Sequence, residues 1–379
     1  MNNKKNEQLY LIAFSIYLIK EFLSNTMFKY SLPPVLFECL KWSALFLVII
    51  KICFEKYDKS KILIIATAFI LVIFASYTST YKSLFMLLIF VIGAKNVSFK
   101  KIAKTYFFIV LPLLFFTIIS SKLGIIEDLV YIRGNLKKHS FGVAYSTDFA
   151  AYVFYLMASY IYIKDNRISK LEYLLFSLII VFVYKFCYAR LDVGCMIILF
   201  LISILLRKNK INFKAKFVKI ILLFSFTLCS LFMFLITYNY DWNNSIHRKI
   251  DEIFSGRLTI GKQAMNKYNI KLFGQKIDDH GFGGNTVFKY GQTDYIDCSY
   301  LRILLKYGLI VYIILIGIST SCNYKLYQSS NYLLLLLIFV ISVNSMIAHH
   351  YMDFSYNVTL FAFLATIDDK RKDDVYATI

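Results

Sequence analysis

Charged residues are scarce in this chain. Asp, Glu, Lys and Arg make up 17% of the 379 residues, whereas ordinary soluble domains contain about 25%. Hydrophobic residues reach 59% and the mean hydropathy is +0.60. The composition argues against an ordinary soluble domain and predicts an integral membrane protein with many spans.

Familiar cysteine patterns and catalytic motifs are also missing. The seven cysteines are an odd number, most lie in apolar runs, and none forms a CxxC pair. The sequence contains no phosphate-binding Walker motif, no HExxH and no GxSxG. These absences exclude a disulfide framework, a cysteine-based metal site and the enzyme classes that depend on those motifs.

The distribution of positive charge predicts the topology. The net charge is +20, but the basic residues lie in short segments between apolar runs, so nucleic-acid binding is not expected. With both termini in the cytoplasm, 23 basic residues fall in inside segments and seven in short outside loops. The positive-inside rule therefore favours cytoplasmic N- and C-termini in the cell membrane.

The apolar runs predict an all-α, polytopic membrane protein of about 12 transmembrane helices. A bilayer requires about 20 apolar residues per helix. We expect a single membrane domain over 1–379, with a retained first helix. The predicted spans are 9–23, 35–53, 62–77, 83–94, 106–121, 149–163, 171–188, 193–206, 217–238, 300–321, 332–348 and 354–367.

One long polar interval, residues 239–298, separates the ninth and tenth predicted spans. It is predicted to be an extracytoplasmic loop, and loops beyond about 12–15 residues usually have a function. Residues 255–268 within it have helical spacing, with Ser255 as a possible cap. We expect this helix to lie on the membrane surface with its apolar side down. Three glycines that follow, Gly281, Gly283 and Gly284, predict a flexible turn.

Three arginines from separate external segments are candidate ligands for a pyrophosphate: Arg133, Arg190 and Arg257. Arginine suits phosphate because its planar guanidinium makes bidentate contacts and stays charged. Each can equally be an ordinary solvated charge, and Asp192 is the alternative partner for Arg190.

Acid–base candidates lie in the same external segments. Asp297, where the long loop re-enters the membrane, is placed to accept a proton, or it caps the tenth helix. His139 and His280 are possible bases or substrate ligands, or surface histidines. His349 and His350, near Asp353, favour a role as interface anchors over a metal site.

Four short patches lie in or beside the predicted external segments: Arg133-Gly-Asn-Leu-Lys-Lys-His139-Ser-Phe-Gly142, Ala189-Arg190, Ser255-Gly256-Arg257-Leu258 and Asp297-Cys298-Ser299-Tyr300-Leu301. Together they resemble the bacterial O-antigen and capsular polysaccharide polymerases (Wzy type) and the related O-antigen ligases. Their order and their position around the long loop are similar to those of the family. Cys298 departs from the asparagine expected there.

The resemblance implies a GT-C-like membrane glycosyltransferase. It would join oligosaccharide repeat units carried on undecaprenyl pyrophosphate, with inversion and with neither metal nor cofactor. It implies that Arg190, Arg257 and Asp297 are catalytic, and that Arg133, His139 and His280 bind the substrate. Its partners would include the lipid bilayer, a flippase and a chain-length regulator.

Two alternatives remain open from the sequence. A ligase of the same fold transfers finished polymer to another acceptor, and it differs from a polymerase only in that acceptor. A transporter or flippase for lipid-linked sugar belongs to another class. Transporters often contain internal repeats and midplane sites, whereas here the charges of interest are external and the halves do not match.

Overall fold

The computed structural model describes residues 3–57, 59–133, 136–208, 210–278, 281, 283–284 and 295–368. The protein is mostly helical, as predicted. The α-helices are α1 (Asn3–Ser24), α2 (Phe28–Ser31), α3 (Pro34–Cys53), α4 (Lys59–Ser79), α5 (Ser83–Gly93), α6 (Phe99–Lys122), α7 (Ser146–Ile163), α8 (Lys170–Cys187), α9 (Arg190–Arg207), α10 (Lys216–Leu223), α11 (Ser225–Tyr238), α12 (Ser245–Ile253), α13 (Arg257–Lys267), α14 (Ser299–Arg302), α15 (Gly308–Gln328) and α16 (Tyr332–Asn344).

Two short strands form a hairpin in the first predicted external loop. β1 (Val130–Arg133) pairs antiparallel with β2 (Leu136–His139), and Val130 lies opposite His139. This hairpin is not predictable from the sequence, because polar and apolar residues alternate only briefly along its short strands.

Few of the described helices are long and apolar enough to cross a bilayer by themselves. Helix α6 (Phe99–Lys122) qualifies by length and composition. The 30-residue stretch Ser299–Gln328, which contains α14, a π-helical turn and α15, also qualifies as one continuous helix. The pair α10 and α11 adds a third candidate if it forms one span, although it bends by 75°. Among the described residues, two or three candidate membrane spans are therefore present.

The bend between α10 and α11 is held by a side chain from another helix. Asn323 of α15 is buried, and its amide donates hydrogen bonds to the carbonyls of Leu222 and Leu223 at 3.1 and 3.2 Å. These carbonyls lie where the helix is interrupted. In a continuous helix they would accept from backbone N–H groups of the next turn, and here the Asn323 amide donates to them instead.

The last predicted span, 354–367, is wrong as an α-helix. Within it the structure has a 3₁₀ helix, Val358–Phe363. The hydrophobic residues of this segment pack in the protein interior and do not form a lipid-facing helix. Phe354, Tyr356 and Phe361 are buried, and Phe354 and Phe361 both pack against Phe14 of α1. Irregular backbone is tolerated at membrane depth where protein surrounds it.

This segment nevertheless connects the two ends of the molecule. It starts beside the cavity described below, and Thr366 at its far end exchanges backbone hydrogen bonds with Val97 and Phe99 at 2.8 and 2.9 Å. Phe99 begins α6, whereas the other end of α6 packs against Gly142, close to that cavity. The segment therefore runs in the opposite direction to α6.

Helix α13 occupies part of the helical stretch predicted at 255–268, but it does not present its apolar side outwards. Leu258 and Ala264 are buried, and Gly261 approaches Thr237 of α11 and Leu301 of α14. The predicted membrane-surface orientation is therefore wrong, because the apolar side of α13 packs on other helices of the protein.

Candidate functional site

A cavity of about 910 Å³ opens where several chain segments meet. Its walls come from the end of α1, the hairpin, the start of α7, the start of α13, residues 281, 283 and 284, and the segments around residues 295–297 and 349–356. The predicted glycine turn contributes directly, since Gly284 donates a backbone hydrogen bond to the Ala144 carbonyl at 2.9 Å. We call this space the external cavity, because its walls include both loops predicted to be external.

Arg257 fixes three separate chain segments at this cavity. Its Nε donates to the Ile347 carbonyl at 3.3 Å, and its Nη1 donates to the Ser255 carbonyl at 3.1 Å. Its Nη2 lies 3.4 Å from Oδ2 of Asp297. The Arg257 side chain is only 17% exposed, so its charge is anchored by these contacts rather than fully solvated.

The position of Arg257 depends on a buried carboxylate that sequence reasoning missed. Oδ1 of Asp251 accepts from the backbone N–H groups of Leu258 and Thr259 at 2.8 and 3.3 Å, and so it caps α13. The expected cap, Ser255, instead has a left-handed backbone with φ of 54°. A carboxylate satisfies the free amides at the start of a helix and complements its dipole.

Arg190 reaches the same point from the start of α9. Its Nη2 donates to Oγ of Ser255 at 3.4 Å, and the side chain is exposed. The alternative partner, Asp192, is buried and accepts a hydrogen bond from Asn344 at 3.0 Å. Ser255 therefore brings together two of the predicted arginines, one on its hydroxyl and one on its carbonyl.

Asp297 faces Arg257 rather than capping the tenth predicted helix. Helix α14 begins at Ser299 with Cys298 at its N-cap, so Asp297 lies one residue too early to cap it. Asp297 lines the external cavity together with Arg257. The arrangement places a proton acceptor next to a phosphate-binding type of side chain.

A second cluster contains Asp148, His349 and Asp353, which line the cavity, and His350, which is buried behind them. Nε2 of His350 lies 3.5 Å from Oδ1 of Asp148, and Nδ1 of His350 lies 3.4 Å from Oδ2 of Asp353. The His350 ring also stacks on Tyr356, with centroids 4.0 Å apart. His350 is 2% exposed, so the predicted role of interface anchor does not fit it.

The surroundings of this cluster change its acid–base behaviour. Burial raises the pKa of the Asp148 carboxyl to about 7, although the His350 charge opposes that change. Burial by itself lowers the pKa of His350, but the hydrogen bond with Asp353 and the charge of Asp148 leave it above its ordinary value. For His349, burial and the neighbouring His350 charge lower the pKa well below its usual value. Asp148 lies in the first turn of α7, before the predicted span 149–163.

Comparisons with protein-family models, curated proteins and solved structures give no match.

Of the other predicted site residues, His139 has a described side chain, and it does not join this constellation. His139 pairs with Asp128 at 3.1 Å, while its neighbour Lys138 lines the external cavity, as alternation along β2 requires. Arg133 ends β1, but its side chain lies outside the described part of the chain. His280 also lies outside the described residues.

Asp148 was missed although the sequence contained a signal for it. It is an acidic residue directly before the predicted span 149–163, a few residues after Gly142. Its importance depends on contact with His350, which is distant along the chain, and only the tertiary structure shows that contact.

Proposed function

We propose that this chain is a membrane glycosyltransferase that joins repeat units of a surface polysaccharide, each carried on undecaprenyl pyrophosphate. The convergence of Arg190 and Arg257 on Ser255, with Asp297 beside Arg257, carries the proposal. The proposal includes about twelve crossings in a GT-C-like arrangement, with the external cavity on the outer side of the cell membrane.

In this proposal the arginines bind the pyrophosphate of the donor. Negative charge grows on that group as the bond to the anomeric carbon breaks, and fixed guanidinium groups stabilise such charge. Arg257 is already oriented by two carbonyls, whereas Arg190 is exposed and donates to the Ser255 hydroxyl. Arg133 is proposed to assist them.

Asp297 is proposed as the general base. In the structure it is paired with Arg257, and a pyrophosphate would compete for the same guanidinium. Donor binding would then release the carboxylate to accept the proton of the acceptor hydroxyl. That hydroxyl attacks the anomeric carbon, undecaprenyl pyrophosphate leaves, and the single displacement inverts the anomeric configuration.

The cavity is large for a ligand pocket, and tyrosines contribute to its lining. Its volume of about 910 Å³ lies near the upper end of the usual range for ligand pockets, about 300–1,000 Å³. Tyr30, Tyr131, Tyr145, Tyr295 and Tyr356 are part of its lining. Tyrosine rings suit sugars, because they offer an apolar face together with a hydroxyl.

Arginine substitutions test the assignment. We expect Arg190→Ala and Arg257→Ala to lower polymer formation by about 10²–10³-fold, as removal of a transition-state donor does. Arg257→Lys should fail similarly, because an ammonium group cannot reproduce the three fixed contacts. The measurement is the size distribution of surface polysaccharide, with the amount of membrane-inserted protein determined in parallel.

Arg248→Ala is the matched control, since Arg248 is an exposed arginine of α12 in the same loop. It should leave the distribution unchanged. Polymer of ordinary length from both the Arg190→Ala and the Arg257→Ala strains would contradict the assignment.

A strain lacking the chain separates the proposed reaction from its alternatives. A polymerase predicts loss of long polymer while single repeat units are still exported. Long polymer that accumulates on its lipid carrier would indicate a ligase, and failure to export any unit would indicate a flippase.

A further inference from the structure

The second cluster on the cavity wall has the composition of a metal site. Asp148, His349 and His350 each offer one ligand atom, and these atoms lie within 4.8 Å of one another. Two imidazoles and one carboxylate form a frequent protein ligand set for zinc, which leaves one position for water or substrate.

The surroundings of His350 match those of a metal-binding histidine. One ring nitrogen, Nδ1, faces the carboxylate of Asp353 at 3.4 Å. The other nitrogen, Nε2, faces Asp148 at 3.5 Å. Histidine ligands commonly contact a carboxylate through the nitrogen that does not bind the metal, which fixes both the tautomer and the ring orientation.

The distances fit a small tetrahedral ion. Ligands at about 2.1 Å from zinc in a tetrahedron are about 3.4 Å from each other, and the His350–Asp148 distance is 3.5 Å. The ligand atom of His349 is within 4.8 Å of the other two, so completing the tetrahedron shortens these separations by at most about 1.4 Å. His349 lines the external cavity, and its Nε2 lies 3.9 Å from Oδ2 of Asp353.

We propose that Asp148, His349 and His350 bind a divalent cation of the zinc class on the wall of the external cavity, with Asp353 orienting His350. The chemistry of the donors decides the class of metal. Imidazole nitrogen suits zinc and related transition ions, whereas magnesium and calcium prefer oxygen ligands.

This inference goes beyond the proposed polymerase reaction and does not rest on it. The resemblance noted in the sequence implies a metal-independent enzyme, so a metal here would set this chain apart. The ion would share the external cavity with Arg257 and Asp297, which line the same space.

Metal binding to the purified full-length protein tests the proposal directly. The protein in detergent is stripped with a chelator and titrated with Zn²⁺ in a calorimeter, and bound zinc is measured after gel filtration. We expect one equivalent per chain. Asp148→Asn and His350→Gln should weaken binding by at least about tenfold, and Asp353→Asn by about 10–100-fold, as loss of an orienting carboxylate does.

His247→Gln is the control, because His247 contacts Asp241 in the long loop and lies outside the cluster. It should retain the full equivalent. No binding by the wild-type protein at stoichiometric zinc, or unchanged binding by the Asp148 and His350 variants, would overturn the proposal.

Cobalt provides a second measurement that needs only the wild-type protein. Co²⁺ bound in a tetrahedral site gives intense visible absorption that Zn²⁺ abolishes by displacement. The weak spectrum of hydrated octahedral Co²⁺ would overturn the proposal even if the variants failed to fold. Because both readouts measure binding alone, failure of the polymerase proposal would not affect them.

Discussion

Asp128 shows how a single carboxylate connects the hairpin to the helices at the external cavity. Its Oδ1 accepts from the backbone N–H of Phe141 at 2.8 Å. Its Oδ2 lies 3.1 Å from Nδ1 of His139 and 3.0 Å from Nζ of Lys122 at the end of α6. Burial tends to raise the pKa of Asp128, but the hydrogen bonds from His139, Lys122 and Phe141 lower it below its usual value of 3.8.

The lowered pKa predicts a loss of stability in acid. A carboxyl whose folded pKa lies below its unfolded value stabilises the fold above the unfolded pKa, and this stabilisation disappears as pH falls through the folded pKa. We expect Asp128→Asn to destabilise the protein by about 1–3 kcal/mol at about pH 6. Thermal unfolding of both proteins across pH is the measurement.

The difference in stability between wild type and Asp128→Asn should shrink as pH falls below about 3.8. A difference that is constant from neutral to acid pH would show that Asp128 acts through packing rather than through its charge. Asp278→Asn is a suitable control, because Asp278 lies in another exposed segment.

At the scale of elements, part of the long loop is fastened to an irregular helix. Between α14 and α15 the residues Ile303–Tyr307 form a π-helical turn. Leu309 and Ile310 donate backbone hydrogen bonds to the carbonyls of Lys271 and Leu272 at 3.0 and 3.1 Å. These amides begin α15 and would otherwise lack helical partners, so the loop satisfies them.

Two glycines make that attachment possible. A Cβ on Gly308 would lie 2.2 Å from the Gly274 nitrogen, and a Cβ on Gly274 would lie 2.1 Å from the Lys306 carbonyl oxygen. Gly308 has φ of 93° and Gly274 has φ of 77°. Backbone conformation and space therefore both require glycine at these positions.

Substitutions along α15 test the attachment. Gly308→Ala should lower the unfolding temperature, because backbone strain alone costs about 1–3 kcal/mol and the clash adds to it. Gly317→Ala in the same helix is the control, since nothing lies within 4 Å of its added Cβ. Gly317→Ala should leave the stability unchanged or raise it by about 0.5–1 kcal/mol. Equal unfolding temperatures for the two variants would contradict this account.

At the scale of the whole molecule, the two ends differ in what they contain. The external cavity occupies one end. The opposite end holds short contacts between segments predicted to be cytoplasmic, such as Ser98 N–H with Glu7 at 3.0 Å and Lys51 with the Lys95 carbonyl at 2.5 Å. Large apolar side chains on the helices between the ends are exposed, including Phe46, Phe108 and Phe217. That distribution is what a lipid-facing belt would require.

The sidedness leads to a labelling prediction. In a background without native cysteines, Lys137→Cys on the hairpin should react with an impermeant maleimide in right-side-out vesicles. Lys56→Cys and Asp368→Cys should react only after permeabilisation, because both lie at the opposite end. Labelling of Asp368→Cys in sealed vesicles would show that segment 354–367 does not cross the membrane.

Local sequence patterns accounted for much of the helical structure. Apolar runs predicted the positions of α1 and α3 to α9, because each helix has to shield its own backbone and can be recognised from its own residues. Such runs do not determine the number of spans. Helices α5 and α16 have 11 and 13 residues, which is shorter than the about 20 that a bilayer requires.

The sequence by itself determined a helical, apolar chain with one long polar loop, and it singled out Arg190, Arg257 and Asp297. Composition and local order are sufficient for those statements. Only the tertiary structure decided that Ser255 joins the two arginines, that Asp148 meets His350, and that 354–367 passes through the interior without an α-helix. Those features depend on contacts between residues far apart in the chain. A hydrophobic run has the same sequence pattern whether lipid or protein surrounds it, so the pattern cannot distinguish the two environments.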